Sequence, residues 1–253
     1  MKKSLPQNLV TNNNYIVRFA QDEDEVRAAQ KLRFRVFNLE LGEGLQSSYE
    51  HQLDIDKYDE QCHHLLVFDR ASDEVIGTYR MQSHEMAQKK HGFYTADEFD
   101  LSQIPEAVLA RSVEVGRACI EREHRNGRVL YLLWRGIATY ITQTESRYLF
   151  GCCSLTSQDP EEGWLVMEYL KRNNLTHEQY RVEAMEEYTC PEVEIDLSAV
   201  QEVDLPQLFR LYMDLGAKVC SEPAIDREFK TIDYLVILDV ESLDERTRML
   251  FFK

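Results

Sequence analysis

The chain has 253 residues, of which 43% are hydrophobic, and its 45 acidic residues outnumber its 29 lysines and arginines. This composition is typical of a folded globular protein and excludes a disordered chain. The net charge of −16 excludes a protein whose whole surface binds nucleic acid, because such surfaces are basic. The N-terminus lacks the apolar segment of a secretory signal, and Arg135 interrupts the longest apolar run. We therefore expect a soluble cytoplasmic protein.

Six cysteines are present, and none of them forms a C-x-x-C pair: Cys62, Cys119, Cys152, Cys153, Cys190 and Cys220. No histidine stands at zinc-finger spacing from a cysteine pair, so we predict no metal site. In a chain without a secretory signal, cysteines are usually reduced thiols. We expect several of them to be buried, and no local signature marks a catalytic cysteine.

The hydrophobic pattern predicts helices and strands that alternate after a β-hairpin. The predicted strands are 15–20, 63–69, 75–82, 111–120, 148–155 and 233–240, and the predicted helices are 22–41, 130–145, 160–173 and 205–216. An acidic loop covers 41–62, and 83–110 is irregular with short helical pieces. This order favours an α/β (α+β) sheet with helices on both faces. We expect a single domain over 1–253, with a flexible 1–14 and a C-terminal half, 156–253, that completes the sheet.

The stretch RSVEVGRACIEREHRNG, residues 111–127, places two opposite charges in an apolar strand. Strict alternation would put Glu114 and Arg117 on opposite faces of the sheet. A β-bulge near Gly116 would shift the alternation, bring both side chains to one face and separate this strand from 148–155. The slot between the two strands could then admit a linear ligand, and a backbone N–H freed at the bulge could bind an oxyanion. The alternative is a structural ion pair, or two charges that are satisfied locally on opposite faces.

The same stretch ends in an arginine-rich turn before a predicted helix. Residues 111–147 carry seven arginines against four glutamates in an otherwise acidic chain. The free N–H groups of a helix N-terminus bind phosphate, and Arg125 and Arg128 would add charge while Gly127 allows a close approach. The HRNGRV segment is therefore a candidate phosphate site. A solvated helix face with salt bridges remains the alternative, since a single glycine in a turn is a weak signal.

Several separate pieces of the chain, taken in order, resemble the GNAT acyltransferase superfamily: LRFRVFNLELG, LDIDKYDEQCHHLLVFD, EVIGTYRM, GFYTADEFDLS, VEVGRACI, LLWRGIATYI, YLFGCCSL and the block from LPQLFRLYMDLG to DYLVILDV. The resemblance covers about residues 15–240. It implies a GNAT-like, mostly antiparallel mixed sheet that holds a pantetheine arm between two splayed central strands. Within the superfamily, the chain resembles the ornithine-lipid type of N-acyltransferase. That type moves a 3-hydroxy fatty acyl group from acyl carrier protein to the α-amine of ornithine.

The same resemblance implies the co-substrate and the cofactor requirement. The acyl-phosphopantetheine of acyl carrier protein would be a co-substrate, and no cofactor would be permanently bound. The pantetheine phosphate would lie at Arg125, Asn126, Gly127 and Arg128. This loop has fewer glycines than the pyrophosphate loop of enzymes that use coenzyme A, which suits a carrier with one phosphate. An amphiphilic product leaves peripheral contact with the inner face of a membrane open, although no basic amphipathic helix indicates it.

Acyl-homoserine-lactone synthases, a related family, share part of the pattern and suggest the site residues: Arg33, Phe37, Asp54, Asp56, Asp59, Arg80, Glu114 and Arg117. These synthases usually carry an aromatic residue, often tryptophan, shortly after the first helix, and the corresponding segment here, LELGEGLQSSY, contains no tryptophan. Glu114 is the candidate general base, or it orients the ammonium, and Arg117 would support it. Arg33 would bind the substrate carboxylate. The three aspartates would either bind a cationic side chain of the substrate or tie their loop down through Arg33, Arg80 and Arg117.

Several functions therefore stand beside the leading one. An acyl-homoserine-lactone synthase would require S-adenosylmethionine, and another N-acyl amino acid synthase would use glycine, lysine or an aromatic amino acid. A short-chain acetyltransferase would use coenzyme A. A non-catalytic relative would bind lipid or acyl carrier protein only. Calcium binding by the D-x-D-x-x-D run is disfavoured, because the glycine and final glutamate of an EF-hand loop are missing.

Overall fold

The structure is a computed structural model that describes residues 10–252. The strands are β1 (Val10–Thr11), β2 (Tyr15–Phe19), β3 (His63–Asp69), β4 (Val75–Ser83), β5 (Ser112–Ile120), β6 (Tyr148–Leu155), β7 (Lys218–Val219), β8 (Ala224–Asp226) and β9 (Thr231–Asp239). The helices are α1 (Glu23–Phe34), α2 (Ser48–His51), α3 (His84–Ala87), α4 (Thr95–Glu98), α5 (Glu106–Leu109), α6 (Arg128–Thr144), α7 (Pro160–Arg172), α8 (Gln207–Asp214) and α9 (Glu245–Phe251). Short 3₁₀ turns and one π-helical turn complete the described chain.

All nine strands belong to one sheet, in the order β1-β2-β3-β4-β5-β6-β9-β7, and β8 also pairs with β9. Among these strands only β5 and β6 run parallel, and α6 connects them, because a parallel pair needs a long crossover. The predicted mixed, mostly antiparallel sheet is confirmed. Each predicted strand and helix is present, with bounds that differ by at most two residues, apart from the end of the first helix. Five short elements were not predicted, because they carry too little pattern: β1, α2, β7, β8 and α9.

Two further differences concern the ends of predicted segments. Residues 1–14 were expected to be flexible. Residues 1–9 lie outside the described residues, whereas residues 10 and 11 form β1, which pairs with β2. The first helix ends as an α-helix at Phe34 and continues as a π-helical turn over Arg35–Leu41. In this turn the N–H of Gly42 donates to the carbonyl of Phe37, five residues earlier. A π-helical turn widens the helix and is frequent at functional sites, and here it carries Phe37.

Helices cover both faces of the sheet, as predicted. On one face, α6, α7 and α8 pack over the largest buried cluster, which includes Tyr79, Leu133 and Phe209. The other face carries α1 and the 84–110 segment over two smaller clusters. We refer to these as the α6 face and the α1 face. No helix among residues 10–252 combines the length and the apolar character needed to cross a membrane.

Candidate active site

The two central strands β5 and β6 separate halfway along their length. Their ladder ends at the pair Glu114–Phe150, although β5 continues to Ile120 and β6 to Leu155. At the point of separation the strands are very close, because a Cβ on Gly151 would lie 2.2 Å from the carbonyl oxygen of Val115. Beyond it, a Cβ on Gly116 would meet no atom within 4 Å. The predicted separation is therefore present, and open space borders the backbone of Gly116.

A β-bulge lies on β5 at this gap, as predicted. Thr78 pairs with Cys119 and Arg80 with Gly116, so β5 has one more residue than β4 in this interval. Arg117, with φ 48, adopts the left-handed conformation that such bulges use.

The bulge brings Glu114 and Arg117 to the same face of the sheet. The backbone N–H of Tyr94 donates to Glu114 (3.1 Å), and the ring of Tyr94 lies 4.7 Å from the Arg117 guanidinium. The two side chains have separate partners. Arg117 bonds to Asp56, and Glu114 accepts from Gln82.

Three buried arginines and three aspartates form a charge network on the α1 face: Arg33, Arg80, Arg117, Asp54, Asp56 and Asp59. Arg33 is fully buried and donates from Nε to Asp54 (2.7 Å) and from Nη1 and Nη2 to Asp59 (2.8 Å each). Burial opposes the charge of Asp59, but Arg33 and Arg80 outweigh it and hold the pKa of that carboxyl far below its usual range. Arg33 does not line the cavity described below, so the structure gives it a supporting position in place of the carboxylate-binding role expected from the sequence.

The other two arginines connect this network to the gap. Arg80 donates to Asp56 (2.5 Å) and Asp59 (3.0 Å), and Arg117 donates to Asp56 (3.2 Å). Burial alone would lower the pKa of Arg117, but Tyr94 and the aspartates raise it, so the guanidinium stays charged. Of the two roles open for the aspartates, the geometry supports the second, in which they tie the 41–62 loop to the sheet.

Glu114 is buried and every acceptor position of its carboxylate has a donor. One oxygen accepts from the N–H and hydroxyl of Thr95 (2.7 Å each), and the other accepts from Gln82 Nε2 (2.5 Å) and the N–H of Tyr94 (3.1 Å). A carboxylate that accepts four hydrogen bonds is a strong anchor. Glu114 therefore fixes the start of α4 against β4 and β5 at the gap.

A cavity of about 300 Å³ passes through the gap and has two chemically different sides. Its side on the α6 face is apolar and is lined by Tyr79, Met81, Val115, Cys153, Phe209 and Tyr212. Its side on the α1 face is polar and charged, and includes Glu43, Arg80, Glu98, Glu114, Arg117, Ser154 and Asp233. Phe37 also lines the cavity. One space thus offers an apolar channel beside a charged pocket.

A second cavity, of about 280 Å³, adjoins the first at the N-terminus of α6, and Phe37, Leu41 and Tyr79 line both. Arg125 and Gly127 line it as well, and Gly127 adopts the left-handed conformation (φ 75) directly before the helix. The guanidinium of Arg125 forms a bidentate ion pair with Glu40 (2.6 and 2.8 Å).

The remaining two residues of the candidate phosphate loop lie outside the lining of this cavity. Asn126 accepts the N–H of Arg128 (3.1 Å), which caps the first turn of α6. Asn126 and Arg128 therefore shape the turn, whereas Arg125 and Gly127 border open space.

A group of buried acids was missed by the sequence reasoning. Oxygens of Glu98, Asp226 and Asp233 lie within 4.8 Å of one another, and all three side chains are buried. Burial raises the pKa of Asp233 to about 7, opposed by hydrogen bonds from Ser154 and Thr231. Burial, Asp233 and Asp226 together raise the pKa of Glu98 well above its usual value. The available signal was Asp233 itself, an acid inside the apolar strand DYLVILDV.

The six cysteines are free thiols, as expected. Cys62, Cys152 and Cys153 line the central cavity. Burial raises the pKa of Cys62 to about 12, and it also raises the pKa of Cys152 and Cys153. Since the thiolate is the nucleophile, this burial disfavours a nucleophilic role for these three side chains.

Comparison with known proteins places the chain in a family. A model described as an acetyltransferase (GNAT) domain matches residues 32–135. The L-ornithine N(alpha)-acyltransferase of Brucella abortus is 33% identical, over 91% of this chain and 86% of that protein. The L-ornithine N(alpha)-acyltransferase of Agrobacterium fabrum is 34% identical, over 90% of this chain and 82% of that protein.

Solved structures share the fold at low identity. The acyl-homoserine-lactone synthase LasI aligns with a TM-score of 0.51 and 13% identity, over 94% of both chains. TofI, solved with an inhibitor and MTA, gives 0.51 and 15%, over 93% of this chain and 95% of that one. The sequence relatives, the domain match and the shared fold agree, and the chain belongs to the L-ornithine N(alpha)-acyltransferase family.

Proposed function

We propose that this chain transfers a (3-hydroxy)fatty acyl group from acyl carrier protein to the α-amine of ornithine, as a step in the synthesis of an ornithine membrane lipid. The observation that carries the proposal is the central cavity, whose apolar side and charged side meet at the gap between β5 and β6. A reaction that joins a fatty acyl chain to a zwitterionic amino acid requires such a site. The names of the relatives supply ornithine as the acceptor.

The donor would enter through the second cavity. Its phosphate would lie at the start of α6, where Arg125 and Gly127 border the space. Asn126 already accepts the N–H of Arg128, so the phosphate would accept from the next N–H groups of the first turn. Arg125 would then share its charge between the phosphate and Glu40. The pantetheine arm would follow the gap past Gly116, and the acyl chain would lie against Tyr79 and its apolar neighbours.

At the gap the thioester carbonyl would lie beside the backbone of Gly116, which has open space next to it. β6 does not pair with β5 beyond Glu114, so backbone groups on that side of the bulge are available to an oxyanion. An α-amine with an ordinary pKa of about 8 is partly unprotonated at neutral pH and needs only a weak base. We therefore assign Glu114 to positioning, with Arg80 and Arg117 holding the surrounding charge network.

The test is an assay of the purified protein with 3-hydroxyacyl–acyl carrier protein and ornithine, with the product identified by mass spectrometry. We expect N-acylornithine that is acylated on the α-amine. The matched reactions replace the donor with the same acyl group on coenzyme A, and replace ornithine with glycine, lysine or S-adenosylmethionine. Efficient transfer from coenzyme A, or transfer to S-adenosylmethionine and not to ornithine, would overturn the proposal. A lipid extract of cells that express the chain tests the link to membrane lipids.

A further inference from the structure

The acid cluster on the α1 side of the cavity has no role in the reaction as described so far. Glu98 ends α4, Asp226 ends β8, and Asp233 lies on β9 opposite Ser154 of β6. Their exposed fractions are 1%, 5% and 3%. Three buried carboxylates this close repel one another, and burial adds to the cost of their charge. Such an arrangement is stable only if protons or a cation neutralise it.

Among the described residues, the only basic group that favours the ionised form of Glu98 is Arg117, which acts on it at a distance and is outweighed by burial and the two aspartates. The nearby arginines are committed elsewhere, since Arg80 pairs with Asp56 and Asp59, and Arg117 pairs with Asp54 and Asp56. No lysine, arginine or histidine of residues 10–252 forms a salt bridge with Glu98, Asp226 or Asp233. The network of three arginines and three aspartates is balanced by itself, so it leaves no positive charge over for the acid cluster. Without a cation, burial keeps protons on this cluster, as the raised pKa values of Glu98 and Asp233 indicate.

A second observation points to a ligand. Oxygen Oε1 of Glu98 is fully buried and has no hydrogen-bond partner among the described residues, while Glu98 lines the cavity. A buried polar atom without a partner is rare in folded proteins. Asp233 also lines the cavity, where its oxygens accept from the hydroxyls of Ser154 and Thr231.

The donors and acceptors present favour a primary ammonium over a metal ion. An ammonium has three N–H donors, and the cluster offers an unpartnered oxygen on Glu98 and remaining lone pairs on Asp226 and Asp233. A Ca²⁺ ion needs six to eight oxygen ligands, whereas several oxygens here already accept from protein groups: Asp226 accepts the N–H groups of Glu228 and Phe229.

We propose that Glu98, Asp226 and Asp233 bind the side-chain ammonium of the acceptor, so that the site selects a diamino acid and directs acylation to the α-amine. This inference rests on the proposed function. A side-chain amine held among carboxylates stays protonated and cannot attack the thioester. The α-amine at the other end of the molecule then lies toward the gap, beside Cys152 and Ser154 on β6 and across from Gly116 on β5. The amine forms the amide bond, the pantetheine thiolate leaves, and the proton of the amine passes to solvent or to the thiolate.

The test compares ornithine with norvaline, which has the same carbon chain without the side-chain amine. In the wild type, we expect kcat/KM for ornithine to exceed that for norvaline by about 100-fold, since hydrogen bonds to charged groups contribute about 1.5–3 kcal/mol each. Glu98→Gln and Asp233→Asn keep the side-chain shape and remove charge. Each should reduce this ratio by at least about tenfold, through loss of activity with ornithine while the slow reaction with norvaline persists.

The outcomes separate the two proposals. Absence of transfer to any amino acid by the wild type would refute the proposed function. Transfer to ornithine with an unchanged ornithine/norvaline ratio in both variants would refute only the ammonium site, as would loss of activity on chelation and its recovery with a divalent metal. If Asp233→Asn does not fold, Ser154→Ala removes only the hydroxyl bonded to Asp233 and should lower the ratio about threefold. Glu192→Gln, an exposed glutamate, is the matched control and should leave the ratio unchanged.

Discussion

Glu114 offers the sharpest test of how the site is held together. Its carboxylate accepts four hydrogen bonds, two on each oxygen, from Thr95, Gln82 and Tyr94. In Glu114→Gln, one of those oxygens becomes an NH₂ group that faces two donors. Two hydrogen bonds to a buried anion are lost, and each contributes about 1.5–3 kcal/mol, so the free energy of unfolding should decrease by about 3–6 kcal/mol. This is a large part of the roughly 5–15 kcal/mol that stabilises a typical domain.

The measurement is thermal unfolding of Glu114→Gln beside the wild type. For a domain of this size, 1 kcal/mol corresponds to roughly 2–4 °C in Tm, so we expect Tm to decrease by about 6 °C or more. Activity should also decrease, because the start of α4 is no longer fixed at the gap. Glu192→Gln makes the same chemical change at an exposed position and should leave Tm unchanged.

A different result would refute this reasoning. If Glu114 acted as the general base and contributed nothing to the fold, the variant would keep its Tm within about 2 °C of the wild type. It would nevertheless lose kcat, and the lower limb of its pH–rate profile would change. Unchanged stability combined with lost kcat would therefore reject the positioning role and restore the role of general base.

Three further predictions follow from buried charge and close packing. Arg33→Met removes the closest partner of Asp54 and Asp59 and leaves two arginines for three buried aspartates. It should lower the free energy of unfolding by about 3–5 kcal/mol in chemical denaturation; unchanged stability would show that the pairing with Arg33 contributes little. Burial raises the pKa of Asp233 to about 7, above an unfolded value of about 3.9, so the free energy of unfolding should decrease as pH rises from about 4 to about 7. Asp233→Asn should remove part of that decrease. Parallel curves of stability against pH for the wild type and the variant would contradict the raised pKa. Gly151→Ala places a Cβ against the carbonyl of Val115 and should lower the free energy of unfolding by about 1–3 kcal/mol. The Cβ of Gly116→Ala meets open space, so this variant should fold normally and bind the donor more weakly. Equal Tm values for the two variants would contradict the close approach of Gly151 to Val115.

The order of the elements could be predicted from the amino-acid sequence alone, and so could the charged residues on β4 and β5 that line the central cavity. Hydrophobic periodicity is a local property, so the strand at 148–155 and the helix at 160–173 were predicted within one residue. The charge pair in the strand at 111–120 predicted the bulge, because a fixed alternation of two makes an extra residue visible in the pattern. Short elements such as β7 and β8 form only because β9 offers them partners, and no local signal marks them.

Which charged side chains contact one another depends on the folded chain. The sequence left two roles open for Asp54 and Asp59, binding of a cationic substrate group or pairing with arginines. In the structure both pair with Arg33 on α1, which is more than twenty residues earlier in the chain. Glu98 and Asp233 lie on α4 and β9 and come together only when the sheet forms. Ionic contacts depend on through-space distance and burial, neither of which sequence spacing encodes across separate elements. The sequence therefore named the arginines and aspartates of the charge network and left their pairing open, whereas the group of Glu98, Asp226 and Asp233 became visible only in the folded chain.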